Sequence, residues 1–391
     1  MAAIYCQKCR QVVDAHEGDP CPSCGEPLHR APDLERADRS LRERADKLAA
    51  ERAAAGIEDL CGGLEAAIIN VEPVRFSAAV AELLAGTGLQ VRDSFADDRF
   101  RTCVLGVEGG ADLVVRCRLG GVNPFARLND RPRARHLPNT RMESLVFRVR
   151  NLDHTVERLR SRGVRFQDPG LEEGTGFRFI QTEPSAYTGN AIAYLERAGG
   201  GHGYRSKKAR NLAMELPAAA RPDYLANIGI LDHAATRIRA SDREAAILEF
   251  MTLTSYCFEF SIYVQSLNSI TNVTRLRGEN YAMVFTSGIA DPREGEEPGP
   301  TEGFILNYGT RVHHLAFATR EIEETFARLK ADGMEFLVEL VGSEEEGLRQ
   351  TFTRPSANTL LVNEYITRYG DFDGFFTKSN VTLLTEATTR Q

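Results

Sequence analysis

The 391-residue sequence has no apolar run near the ~20 residues that a membrane-spanning helix requires. Its first residues, MAAIYCQKC, lack the apolar segment of a secretory signal, so no membrane association and a cytoplasmic location are expected. Neither sign of charge dominates: 48 Lys and Arg against 55 Asp and Glu leave −7, which points away from nucleic acid as a partner. A chain of this length with a 42% hydrophobic content can bury a sizeable core, so its eight cysteines are not needed to staple a small fold. Secreted, disordered and collagen-like classes are thereby set aside. At about 100–200 residues per domain, the length suggests two large domains or several smaller ones.

Four of the cysteines are not scattered. Cys6, Cys9, Cys21 and Cys24 read C-x2-C-x11-C-x2-C. Each CxxC aims two thiolates at one point, and two such knuckles complete a tetrahedral Zn(II) shell. Two disulfides or a redox pair are the competing readings, and His16 or His29 could replace a thiolate. With four protein ligands the zinc is expected to be structural, in a small ribbon over residues 1–30 that folds around its metal and is open to an unidentified protein partner. Residues 31–58 are rich in Ala, Arg, Glu and Leu and predict a charged connecting helix. Leu34, Leu41 and Leu48 recur every seven residues, but the other seam positions are Ala, Arg and Glu, so a solvated helix is expected rather than a coiled coil.

The rest of the chain repeats itself. Residues 140–166 align without gaps on 310–336 with ten identities in 27 positions, and 182–197 align on 353–368. A looser block pairs GLEAAII at 63–69 with ILDHAAT at 230–236. The expected domains are a first module over 59–200, a linker over 201–224 that contains GGGHGYRSKKARN, and a second module over 225–391. Strand-like runs such as LVFRVR and LAFAT precede amphipathic helices near 152–162 and 322–332, with Gly163 and Gly333 at their ends. With helices at 76–86 and 242–254, the order is β-α-β-β-β twice per module, an α+β fold.

Comparing the copies isolates three positions. The second module holds His233, His314 and Glu364 where the first has Ala66, Ser144 and Ala193. Two imidazoles and one carboxylate on separate strands form the 2-His-1-carboxylate set of non-haem Fe(II) oxygenases, which leaves about three adjacent coordination sites for substrate and O2. One carboxylate leaves the ion net cationic, which favours an anionic chelating substrate. His313 competes with His314. Neighbours on a strand face opposite ways, so one of the two is expected to ligate, and the repeat alone does not choose between them. Asp232 should likewise point away from His233, as a surface group or a support for the ligands.

The two-module layout with ILDHAA, VHHLAF and LLVNEYITR resembles the vicinal oxygen chelate superfamily, and within it the 4-hydroxyphenylpyruvate dioxygenase family, over residues 57–391. That resemblance implies tandem modules forming open barrels, the second of which holds Fe(II). The family's IDHVV-, VQHIAL- and FEIIQR-like motifs fall on His233, His314 and Glu364, which favours His314 over His313. It also implies a homo-oligomer, a role in aromatic amino acid metabolism, and a covering C-terminal helix whose motif falls on Phe375 and Asn380. Phe352, Phe375 and Phe376 are candidates for an aromatic pocket wall, or for ordinary packing.

The chain departs from the family in three places: His313 where Gln is usual, GPTEGFILNYG where a Gln-bearing segment is usual, and FFTKSN in place of a glycine-rich motif. The activity implied is O2-dependent oxidative decarboxylation of an aryl-pyruvate or related 2-oxo acid. The alternatives are an extradiol catechol dioxygenase, a hydroxymandelate-synthase-like enzyme, a metal-dependent isomerase or lyase, and a non-catalytic scaffold.

Overall fold

The computed structural model describes residues 4–6, 9, 11–16, 18–30, 34–57, 60–167, 170–199, 201–214, 221–277, 281–292, 297–372 and 374–391. Strands β1 (Ile4–Cys6), β2 (Gln11–Val13) and β3 (His29–Arg30) form a small antiparallel sheet in the order β2-β1-β3. Helix α1 (Leu34–Ala54) follows.

The first module contains β4 (Leu64–Asn70), α2 (Phe76–Gly86), β5 (Gln90–Ala96), β6 (Phe100–Gly106) and β7 (Asp112–Arg118), then β8 (Arg141–Arg148), α3 (Leu152–Ser161), β9 (Glu172–Glu173), β10 (Phe177–Gln181) and β11 (Ala191–Arg197). A short strand, β12 (Arg210–Asn211), extends the edge of this sheet, whose order is β12-β5-β6-β7-β4-β8-β11-β10-β9. The second module repeats the plan with β13 (Ile228–Arg237), α4 (Arg243–Leu253), β14 (Cys257–Val264), β15 (Ser269–Arg275) and β16 (Ala282–Ser287). After an inserted helix α5 (Pro300–Tyr308) come β17 (Arg311–Thr319), α6 (Ile322–Ala331), β18 (Val341–Ser343), β19 (Leu348–Phe352), β20 (Val362–Arg368) and α7 (Lys378–Ala387). Its sheet order is β14-β15-β16-β13-β17-β20-β19-β18. The expected β-α-β-β-β order is present twice in each module, and Gly163 and Gly333 end their helices with φ of 82° and 91°, a conformation that favours glycine.

The central strands are buried on both faces, one against helices and one inside the barrel, so they read as continuous apolar runs rather than alternating ones. The two modules hold each other through matched contacts. Tyr194 donates to the carbonyl of Leu253, and its counterpart Tyr365 donates to that of Gly86. Ser185 bonds Glu249, as Ser356 bonds Glu82. Buried Arg141 donates to the Thr310 carbonyl, and Arg311 to that of Thr140. These reciprocal pairs relate the repeats by an approximate two-fold.

Two expectations about the connecting segments change. Helix α1 is docked rather than solvated. Leu41 and Ala45 are buried, Asp38 pairs with Arg243 at 2.7 Å, and Arg52 donates to the carbonyls of Met251, Thr254 and Tyr256 at 2.8–3.0 Å. The end of α4 leaves carbonyls without helical partners, and one long guanidinium satisfies several of them. The glycine-rich, basic stretch folds back on the first module: Arg205 pairs with Asp93, Lys207 with Glu173 and Lys208 with Asp98. No helix among the described residues is long and apolar enough to cross a membrane.

Candidate metal centre

His233 on β13 stands opposite Ala316 of β17, and Ala316 stands opposite Glu364 of β20. His314 lies two residues before Ala316, opposite Ala235. Alternation along each strand therefore turns all three side chains into one barrel, where each is buried. Glu364 Oε2 lies 3.1 Å from His233 Nε2 and 3.2 Å from His314 Nε2. Ligand atoms about 2.1 Å from one ion and at right angles to one another are about 3 Å apart, so this spacing suits an octahedral face.

The surroundings leave those atoms for a cation. His233 Nδ1 is 2.7 Å from Asp232 Oδ1, which fixes the ring with its proton on Nδ1 and leaves buried Nε2 facing Glu364 Oε2 alone. His314 Nδ1 is 2.8 Å from His313 Nδ1, whose Nε2 is 2.9 Å from Gln391 Oε1. This chain of acceptors likewise assigns the His314 proton to Nδ1. Glu364 Oε1 accepts from Gln350 Nε2 at 2.5 Å, and Gln350 Oε1 accepts from Asn380 Nδ2 at 3.0 Å. Oε2 remains free to ligate.

Burial opposes charge on Asp232, but His233 and Arg368 outweigh it and hold the carboxyl at about 2. Burial likewise opposes protonation of His233, yet Glu364 and Asp232 raise its pKa to about 9. A proton here stands in for the positive charge that the donor set favours.

Both His313 and His314 face the interior, with ring centroids 5.0 Å apart. A register shift between Ala235 and Thr236 leaves His313 without a partner on β13. A bulge places two residues against one and breaks the alternation that predicted opposite faces. A second shift, between Leu231 and His233, similarly lets Asp232 turn toward its neighbour's ring.

A cavity of about 40 Å³ adjoins the centre, lined among others by His314, Glu364, Phe352, Phe376, Gln350 and Arg237. Phe352 lies 4.8 Å from the His314 ring and Phe376 5.2 Å from that of His233. Phe375 packs 5.5 Å from His233, behind this wall, and Asn380 supports Gln350 rather than lining the cavity. Helix α7 closes this side through Val381, Leu384 and Thr385. Sequence reasoning missed Gln350 and Arg237. The signal for Arg237 was its spacing: it is four residues after His233 on the same strand, hence on the same face.

At the first module's matching points, Ala66 stands opposite Val146, Val146 opposite Ala193, and Ser144 opposite Ile68, with register shifts at the same places. Ala66, Val146 and Ala193 join Ile68, Val114, Phe179 and Leu195 in an apolar cluster.

In the N-terminal sheet, Cys6, Cys9, Cys21 and Cys24 present sulfurs within 4.8 Å of one another. Cys6–Cys24 and Cys9–Cys21 are 3.5 and 3.9 Å apart. Thiolates at about 2.3 Å from a tetrahedral ion lie about 3.8 Å apart, so the cluster also fits a metal.

No protein-family model matches the chain. Among solved structures it is similar to a triple mutant of 4-hydroxymandelate synthase from Streptomyces coelicolor, with a TM-score of 0.63 and 20% identity over 84% of this chain and 98% of that one. It is also similar to a xylose isomerase-like TIM barrel/4-hydroxyphenylpyruvate dioxygenase fusion protein, with a TM-score of 0.56 and 14% identity. That match covers 84% of this chain and 52% of the fusion. These likenesses establish the fold as tandem vicinal oxygen chelate modules.

Proposed function

We propose that the second barrel binds Fe(II) and catalyses the O2-dependent oxidative decarboxylation of a 2-oxo acid. The observation that carries this reading is the convergence of His233 Nε2, His314 Nε2 and Glu364 Oε2, each freed for a cation by a hydrogen bond on the opposite side of its group. The names of the structural neighbours and the motif resemblance support it. Fe(II) bound there would supply a Lewis acid for the keto and carboxylate oxygens and the redox chemistry for O2.

The protein's share is positioning. Asp232 and His313 fix the two imidazole tautomers, and Gln350, held by Asn380, fixes the carboxylate. Phe352 and Phe376 supply an apolar wall, and α7 covers one side of the cavity. The overall balance needs no co-reactant besides O2. The C1–C2 bond breaks to release CO2, one oxygen atom enters the carboxylate left behind, and the other forms a new C–O bond on the substrate. The likeness to a 4-hydroxymandelate synthase favours the side chain as a second place for that bond, besides the aromatic ring.

The cysteine cluster, in the same reading, holds structural Zn(II) apart from the reaction. The test is O2 uptake and CO2 release by Fe(II)-reconstituted protein with 2-oxo acids and catechols in parallel. Equal amounts of both gases with a 2-oxo acid support the reading, and uptake with catechol alone overturns it.

A further inference from the structure

The cavity beside the candidate centre contains a full positive charge that the preceding reading does not use. Arg237 is 3% exposed and lines the cavity together with His314 and Glu364. Its Nη1 donates to Thr301 Oγ1 at 2.5 Å and its Nη2 to Thr388 Oγ1 at 3.3 Å, while Nε has no partner. Among the described residues no carboxylate lies within 4.0 Å of it. Its cross-strand neighbour is another buried arginine, Arg311, which is spent on Asn129 and the Thr140 carbonyl. Glu302 is near enough to favour its charge but makes no ion pair with it, and it accepts instead from Gly288 N at 3.0 Å.

A buried cation without an anion in direct contact costs several kcal/mol in general. Here the cost is compounded, because an Fe(II) held by one carboxylate also leaves a net positive charge. The other buried arginines have a structural purpose: Arg52, Arg141 and Arg311 are spent on carbonyls, and Arg243 on Asp38. Arg237 alone among these faces the cavity. At the matching place in the first module stands Asn70, a neutral amide that donates to the Asn139 carbonyl.

We propose that Arg237 selects substrates with a second anionic group, so that the site takes a 2-oxo acid bearing a carboxylate at its far end. This rests on the 2-oxo acid reading above and narrows it. The chelating end would bring one negative charge to the metal, and the distal carboxylate would bring a second to Arg237. Thr271, Thr286 and Arg237 stand in one cross-strand row, and both threonines line the same cavity, which gives the distal carboxylate hydroxyl donors beside the guanidinium. Four strand residues separate the Cα atoms of His233 and Arg237 by about 13 Å, and Arg237 lines the same cavity as His314 and Glu364.

The distal carboxylate could sit on a short aliphatic chain or on an aromatic ring. The test therefore uses two matched pairs on full-length protein loaded with Co(II), read by anaerobic calorimetry. One pair is 2-oxoglutarate and 2-oxopentanoate; the other is 4-carboxyphenylpyruvate and phenylpyruvate. In at least one pair the dianion is expected to bind about 10- to 100-fold tighter, the size of one charged hydrogen-bonded contact. The pair that shows it identifies the chain type. Arg237→Met should erase the preference by weakening the dianion only, and with Fe(II) it should raise KM more than it lowers kcat.

Equal binding within both pairs by the wild-type protein overturns the proposal without any variant, as does a preference that survives in Arg237→Met. If the neutral-tailed acids bind and turn over with CO2 release, the 2-oxo acid reading stands and only this proposal fails. If none of the four binds, both fail together.

Discussion

The two barrels share strand order, register and the positions of their irregularities, yet their interiors differ in kind. In the row that joins β4, β8 and β11 the first barrel places Ala66, Val146 and Ala193; in the row that joins β13, β17 and β20 the second places His233, Ala316 and Glu364. Where the second has Gln350 supporting a buried carboxylate, the first has Phe179 in an apolar cluster. The backbone is thus sufficient to aim three side chains at one point, and side-chain chemistry decides whether that point is mostly apolar or a candidate metal site. The polar residues come as a set because each needs the others: a buried carboxylate without Gln350 or a cation, or an imidazole without Asp232, would leave unpaired groups in a dry interior.

This contrast is testable by substitution in either barrel. The largest effect is expected from His233→Ala or Glu364→Ala, which should cost the barrel more metal affinity than the ~100-fold typical of losing a supporting partner, measured by metal content and O2 uptake. Next is Ala193→Glu in the first barrel. It buries a carboxylate in an apolar cluster, beside Ser144 and Gln181 that are already bonded to each other, and should cost roughly 3–5 kcal/mol in denaturant unfolding. Asp232→Asn or Gln350→Leu should lower metal affinity about 10- to 100-fold by titration while leaving the chain folded. Ser144→Ala, which breaks the 2.9 Å bond to Gln181, should cost only about 1 kcal/mol and leave metal binding and turnover unchanged. The smallest effect on the barrel comes from replacing Cys21 and Cys24 with serine: cysteine-bound zinc should be released and barrel metal retained, by elemental analysis of the two variants.

Much of this contrast was readable before any coordinates. The repeat paired Ala66 with His233, Ser144 with His314 and Ala193 with Glu364, and the structure gives these pairs identical registers. Helices α2, α3, α4 and α6 fall within a residue of their expected limits, and α3 and α6 have the clearest apolar faces and stop at Gly163 and Gly333. What escaped was whatever depends on local irregularity or on distant partners. The bulge at His313 carries no glycine or proline to announce it, so simple alternation assigned the two histidines to opposite faces. Helix α1 read as solvated because Arg52 looks like any polar-face residue until the α4 carbonyls that it caps are in view. Gln350 read as an ordinary strand residue because its partners, Glu364 and Asn380, are 14 and 30 positions away.

The most direct test of the central claim is anomalous diffraction at the iron edge from crystals of Fe(II)-loaded protein. One iron peak is expected, in the second barrel, within bonding distance of His233 Nε2, His314 Nε2 and Glu364 Oε2, and none in the first. An iron peak in the first barrel, or a loaded protein whose iron lies away from these three atoms, would contradict that claim.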